Sequence, residues 1–426
     1  MRTTSLTGAR VAVAAAFFTQ GFVFISLTTR LPRFLDRWGL DEVTLSLLLL
    51  MMVLLAGVGS LVAERAARRT GSAAMLRLGL GLMVVAVPAL TLAPAIGVFV
   101  GGVAVYGLAL GLVDATSNMQ AVHLEHRYGR PILPSSHGYW TTGGILATVV
   151  VLTTGHLAPE IGVLVALVPL AVALAPFLPH ARSEPSAGSA LIDSALIDSA
   201  LTGSAPAGPT PIPWRPIWLV GAGLVVFYMV DTTASAWGPV YLARAFDAPG
   251  NLVALATFPY LVTSIVVRLA GGLLVTRFGV APLLRIGAVV ASAALALVAL
   301  APTWQLAVAG FTLLGAAVAL VAPLSFSAAG RIAAGTTTAS GPLAEPDRAR
   351  TDAVIARFNQ FNYVGALLGA VVTGLVGADN LRFGFALPAV LVLALVPLAP
   401  AFARGAIKAA GDRTVTGPAA DPAAGP

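Results

Sequence analysis

Between Gly111 and Gly144 the chain reads GLVDATSNMQAVHLEHRYGRPILPSSHGYWTTGG. An acid, Asp114, and an amide, Asn118, sit one helical turn apart on one face of an apolar helix. Gln120 follows, and after a short basic loop His137 and Trp140 open the next apolar run. An ionised Asp in an apolar span costs about 3 kcal/mol on insertion scales, so such acids mark function or are paired. A carboxyl in a partly dehydrated cavity can take up and release a proton. The amides offer a donor and an acceptor to a hydroxylated ligand, the imidazole can do likewise, and an indole can stack on a sugar face. The same residues also admit a structural reading, with Asp114 bonded to neighbouring hydroxyls or to an Arg.

A second polar set lies in the other half. Asp231 is followed by Thr232, Thr233 and Ser235, and Arg268 is the basic residue clearly inside an apolar span. An unpaired guanidinium there is costly. Asp231 is one candidate partner, reached only by a long side chain or an intervening group because helical rise separates their depths by roughly 9 Å. A purely structural role for Arg268 is the other reading. Asn359, Gln360 and Asn362, with Phe361 and Tyr363, open a later apolar run much as His137 and Trp140 open theirs. Asp114 and Asp231 are thus candidate proton sites. Asn118, Gln120, His137, Trp140, Asn359, Gln360 and Asn362 are candidate solute contacts. An interfacial aromatic belt is the plainer reading of the aromatics, Trp237 and Tyr241 included.

The elements that must position these groups are membrane helices. Of 426 residues, 58% are hydrophobic and 10% charged, against about 25% charged in soluble domains. Windows of about 19 residues predict an all-α polytopic protein of twelve spans, near 9–30, 43–63, 74–93, 95–121, 136–156, 159–179, 216–238, 252–274, 282–300, 304–329, 353–377 and 381–403. They divide into a bundle over 1–180 and a bundle over 214–404. The intervening 181–213, with its tandem repeat Ser189–Asp193 and Ser194–Asp198, reads as a flexible linker, and 405–426 as a disordered tail. Arg65, Arg68, Arg69, Arg77, Arg127, Arg130, Arg277 and Arg285 fall on the side of the termini, against Arg30, Arg33, Arg37, Arg244 and Arg382 opposite. This asymmetry predicts cytoplasmic termini. It also accounts for the formal net charge of +7 without a nucleic-acid partner.

Several chemistries are excluded or disfavoured. The chain has no cysteine, which removes disulfides, thiol catalysis and Cys-ligated metals. His123, Glu125 and His126 are too few for a metal site. No phosphate-binding G-x-x-x-x-G-K-[ST] loop, G-x-S-x-G elbow or H-E-x-x-H pair occurs, so neither an enzyme nor a cofactor is expected.

An internal repeat points to a family. Ser60-Leu-Val-Ala-Glu64-Arg65-Ala-Ala67-Arg68-Arg69 and Gly272-Leu-Leu-Val-Thr276-Arg277-Phe-Gly279 align at one offset. The first resembles the G-xxx-D-R-x-G-R-R signature of major facilitator transporters, with Ser60, Glu64 and Ala67 as departures; the second keeps its glycines and replaces the acid by Thr276. Asp114 to Asn118, Gln120 to Arg127, His137 to Gly143, Arg30-Leu-Pro32 and Asp231…Trp237…Tyr241 resemble the fucose-permease-like bacterial branch and its inner-membrane relatives. That branch more often has Glu where this chain has Asp231. The resemblance implies two pseudo-symmetric six-helix bundles latched near Glu64, Arg65, Arg68, Arg69 and Arg277, with Arg30 and Arg268 as further gate or structural residues. It also implies Asp114 as proton-coupling acid in a monomeric, proton-coupled symporter of a sugar- or polyol-like solute. Two rivals remain open from residues alone. One is a proton-driven exporter of amphipathic compounds, whose helix-5 G-P-x-x-G-G-like element is met here only by Gly143-Gly144 and Gly155. The other is a non-transporting membrane sensor or scaffold.

Overall fold

The computed structural model describes residues 5–128, 132–178, 213–334, 354, 358 and 360–403. Asn359, the side chain of Arg68, the linker apart from Pro213, and the tail 405–426 lie outside that description. The described residues are helical throughout, without strands.

In chain order the first half comprises α1 (Leu6–Thr28), the short α2 (Leu31–Trp38), α3 (Glu42–Thr70), α4 (Ser72–Thr91), α5 (Ile96–Tyr128), α6 (Leu133–Thr154) and α7 (Leu167–Ala173). The second half comprises α8 (Trp214–Thr232), α9 (Gly238–Phe246), α10 (Phe258–Phe278), α11 (Val280–Leu300), α12 (Trp304–Val318), α13 (Val321–Ala334), α14 (Gln360–Val376), α15 (Leu381–Leu391) and α16 (Leu395–Ala403). Among the described residues nine helices are long and apolar enough to cross a bilayer, and Glu160–Ala173 and Gln360–Val376 are shorter apolar helices. Nine of the described helices thus have the length and apolar character expected of spans, with local differences. The 159–179 span opens as a 3₁₀ turn from Pro159 to Ala166, and the last span is broken by a 3₁₀ turn at Val392–Ala394, just before Pro397. Proline cannot donate to the ladder and crowds the preceding turn.

The repeat motif is not a loop. The helix of α3 continues through Glu64, Arg65 and Ala67 to Thr70 and turns on Gly71 at φ +87°; α10 ends at Phe278 and turns on Gly279 at φ +78°. Both turns need the positive φ that glycine alone adopts without strain. The first copy runs one helical turn longer, because Ala67 stands where the second copy has Gly279.

Helices pair in the same way in both halves. A Cβ on Gly143 of α6 would collide with the Phe18 carbonyl of α1, and one on Gly365 of α14 would collide with the Val225 carbonyl of α8. Lipid supplies no hydrophobic force between helices, so close backbone approach through small residues carries the packing.

The halves meet on the face away from the termini. Arg244 Nη1 lies 3.1 Å from Asp36 Oδ1 and its Nε 3.9 Å from Glu42 Oε1. Asn251 Nδ2 donates to the Leu152 carbonyl at 3.4 Å, and Gly374 packs where a Cβ would strike Ser46 and Trp237. Trp237 and Tyr241, expected in an interfacial belt, are instead wholly enclosed. Trp237 Nε1 donates to the Ala370 carbonyl at 3.0 Å and the Tyr241 hydroxyl to the Val298 carbonyl at 2.8 Å. Both indole and phenol need a polar partner when buried, and these carbonyls provide it.

Candidate functional site

Asp114 lies on α5 with only 9% exposure. Gln20 Nε2, from the middle of α1, donates to its Oδ1 at 3.1 Å. Asn118 Nδ2 donates to the Asp114 carbonyl at 2.9 Å and to Oδ1 at 3.4 Å. The third donor comes from the other half: the Tyr363 hydroxyl on α14 reaches Oδ2 at 2.8 Å. Ser60, at the first position of the repeat motif, lies beside that hydroxyl. The carboxylate is thus met by donors from α1, α5 and α14, and a hydrogen bond to an ionised acceptor is stronger than one between neutral groups.

The second acid is held differently. Asp231 Oδ1 accepts from the Tyr260 hydroxyl of α10 at 2.6 Å. Arg268 Nε donates to the Ala319 carbonyl at 3.1 Å, and its Nη1 crosses to Thr141 Oγ1 on α6 at 3.2 Å. Asp231 and Arg268 make no direct pair; the two charges interact across a gap, as their different depths require. Just past Asp231, residues Thr233–Trp237 form a π turn between α8 and α9. Such bulges loosen the backbone ladder and recur at functional positions.

The two cross-half bonds at this site share a polarity. Tyr363 and Arg268 of the second half donate; Asp114 and Thr141 of the first accept. His137 stands edge-on to Phe17 at 5.2 Å between centroids, near enough to Asp114 and Arg268 to feel both charges. Trp140 lies 6.2 Å from Phe24. Asn118, His137, Trp140, Tyr228, Asp231, Arg268, Asn362 and Tyr363 are all partly exposed, and Gln360 is exposed. Gln360 and Asn362 share α14 with Tyr363, and contacts and charge join Asp114, Asn118, Tyr363, His137, Asp231, Arg268 and Thr141 in one polar seam between the halves.

Gln120 does not join it. Its Nε2 donates to Ser72 Oγ at 2.8 Å and to the Leu178 carbonyl at 3.1 Å, while its Oε1 accepts from the Leu178 N–H at 3.0 Å. Two residues beyond Asn118, it faces away from the seam and clamps α5 to its own half. The motif residues are peripheral: Arg65 and Arg69 are exposed, Glu64 is exposed and engaged, and Arg277 lies over the Phe278 ring. Sequence reasoning missed Gln20, Thr141, Tyr228 and Tyr260, and treated Tyr363 only as one of several aromatics. A polar amide in the middle of the first apolar run was the signal for Gln20.

No family model matches the chain. Curated relatives do. An uncharacterized transporter, y4wD, of Sinorhizobium fredii (strain NBRC 101917 / NGR234) is 27% identical over 396 residues, 91% of this chain and 96% of its own. An uncharacterized MFS-type transporter of Yersinia pestis is 23% identical over 405 residues, 93% and 96% respectively. Among solved structures, the nucleoside transporter NupG matches with a TM-score of 0.62 at 15% identity over 92% of this chain and 98% of that one. A point variant of the E. coli fucose:proton symporter FucP matches at 0.55 and 16% identity over the same shares. At such identities the structures establish the fold alone. The chain is thus similar along nine-tenths of its length to relatives named as transporters, one of them of MFS type, and shares its fold with solved transporters: it is a multi-pass membrane protein of transporter type.

Proposed function

We propose that the protein is a proton-coupled secondary transporter of a small polar solute, sugar- or polyol-like, in the fucose-permease-like branch. It would work by alternating access in the inner membrane as a monomer, with both termini in the cytoplasm. The observation that carries this reading is the set of donors around Asp114, because one of them, Tyr363, belongs to the opposite half.

Proton uptake by Asp114 turns an acceptor into a donor. On Oδ2 the new proton would face the Tyr363 hydroxyl hydrogen, so that cross-half bond must break or reverse. Gln20 can follow the change. Its Nε2 serves the ionised acid, while its Oε1 is buried with no hydrogen-bond partner, and an amide flip would present that oxygen to the protonated form. Protonation is thereby tied to the contact between halves, which is the requirement for coupling. Asn118, His137, Trp140, Gln360 and Asn362 are the proposed solute contacts, with Asp231 a second protonation site. Glu64, Arg65, Arg69 and Arg277 belong to a latch on the side of the termini.

The test is a thermal-shift screen of the purified protein against sugars, polyols, carboxylates and amphipathic drugs, followed by uptake of the hit into proteoliposomes under an imposed pH gradient. Accumulation driven by an inward proton gradient supports the reading. Binding of drugs alone, or gradient-driven extrusion, would replace it with the exporter.

A further inference from the structure

A second cluster of charge lies outside the seam, on the face away from the termini. Where α1 runs into α2, Arg30 is only 9% exposed; its Nη1 donates to the Ser26 carbonyl at 2.7 Å. Arg33, three residues on, reaches the Leu157 carbonyl with Nη1 at 3.5 Å. The two guanidiniums line one recess together with Thr154, Ala158, Gly162 and Gly250.

Among the described residues nothing acidic lines that recess. Asp36 and Glu42, acids flanking this turn, are within ion-pair distance of Arg244. A guanidinium carries five N–H donors, and the single carbonyl partner of Arg30 leaves most of them unused. Arg30 is nine-tenths enclosed, and Arg33 adds a like charge beside it. Two adjacent cations, one nine-tenths buried, need a negative partner.

The size of the recess narrows that partner. Its volume is about 10 Å³, which favours a small occupant about the size of one water. Its place is equally informative. Gly250 comes from the second half, and Arg33 Nη2 lies 3.6 Å from where a Cβ on Gly250 would stand.

We propose that Arg30 and Arg33 hold one small monovalent inorganic anion, chloride in ordinary salt, at the junction of the two halves. The anion neutralises a like-charge pair that otherwise opposes approach of the second half, so it stabilises the state closed on this face. The site is independent of the solute seam and of what the seam carries.

The experiment is thermal unfolding of the full-length protein in detergent, with sodium chloride titrated against sodium gluconate at constant ionic strength. A saturable rise of about 2 °C or more in chloride, reproduced by bromide, is the expected result. Arg33→Gln should abolish it. Gly162→Leu should too, because a Cβ there already stands 3.3 Å from Arg30 Nε and a larger side chain fills the recess while both arginines stay. The titration of the unmodified protein decides first: equal unfolding temperatures in chloride and gluconate overturn the proposal. So does a chloride shift that survives unchanged in both variants.

Discussion

The Tyr363 hydroxyl donates to Asp114 Oδ2 at 2.8 Å across the interface between halves, linking side chains 249 positions apart in the chain. A hydrogen bond to a charged group contributes about 1.5–3 kcal/mol. Removing it by Tyr363→Phe should shift the ratio of molecules closed on the face away from the termini to molecules open there, toward the open form, by about ten- to a hundredfold. The chain has no native cysteine, so Ser46→Cys, buried in this state, reports opening through its rate of labelling by a membrane-impermeant maleimide. Labelling should accelerate in the Tyr363→Phe background; an unchanged rate would mean that the bond does not contribute to closure.

Gln120 was legible as a polar residue near the acid, but not as a clamp. Its Gln120→Ala variant leaves the Ser72 hydroxyl and both Leu178 backbone groups without that partner. Stability should fall by about 2–3 kcal/mol, read as a lower unfolding temperature, while solute affinity stays within about threefold. A selective loss of solute binding at unchanged stability would return Gln120 to the seam.

Arg268 donates through two different nitrogens to Ala319 and Thr141. A lysine keeps the charge but not the fork. Arg268→Lys should fold and transport at least about tenfold more slowly, in line with loss of one charge-assisted bond. Arg268→Gln, which leaves Asp231 without its nearby cation, should be worse. Equal rates for the lysine variant and the parent would show that charge alone suffices.

Asp41 caps α3 by accepting from the Thr44 N–H at 2.8 Å. Its hydrogen bonds with Thr44 hold its carboxyl below the usual carboxylate range. The folded chain therefore binds that proton more weakly than the unfolded chain. The cap's contribution is fully present above the unfolded value of about 3.9 and is lost as pH falls through the lowered one. Asp41→Asn keeps an acceptor without titrating, so the difference in unfolding temperature between parent and variant should change only below about pH 4. A constant difference across that range would remove Asp41 from the acid response.

The membrane class, the repeated halves and the acid at Asp114 were readable from the chain because apolar runs, motif spacing and an acid in an apolar helix are local signals. The partners of Asp114 were not, since Gln20 is 94 and Tyr363 is 249 positions away and only the packing of α1 and α14 on α5 brings them together. Trp237 and Tyr241 looked like belt residues because composition cannot tell an aromatic at a helix end from one turned inward onto a carbonyl. Asp231 and Arg268 shared a region but not a depth, and each found a nearer partner. The helix of α3 ran past its expected end because Glu64 to Thr70 lack a glycine or proline to stop it before Gly71.

The central claim is that Asp114 carries the coupled proton. With the solute found by the thermal-shift screen, it is tested most directly in proteoliposomes by comparing the parent and Asp114→Asn. The account predicts that pH-gradient-driven uptake is abolished in the variant while solute exchange between preloaded and external pools persists. Driven uptake that survives unchanged in Asp114→Asn would contradict it.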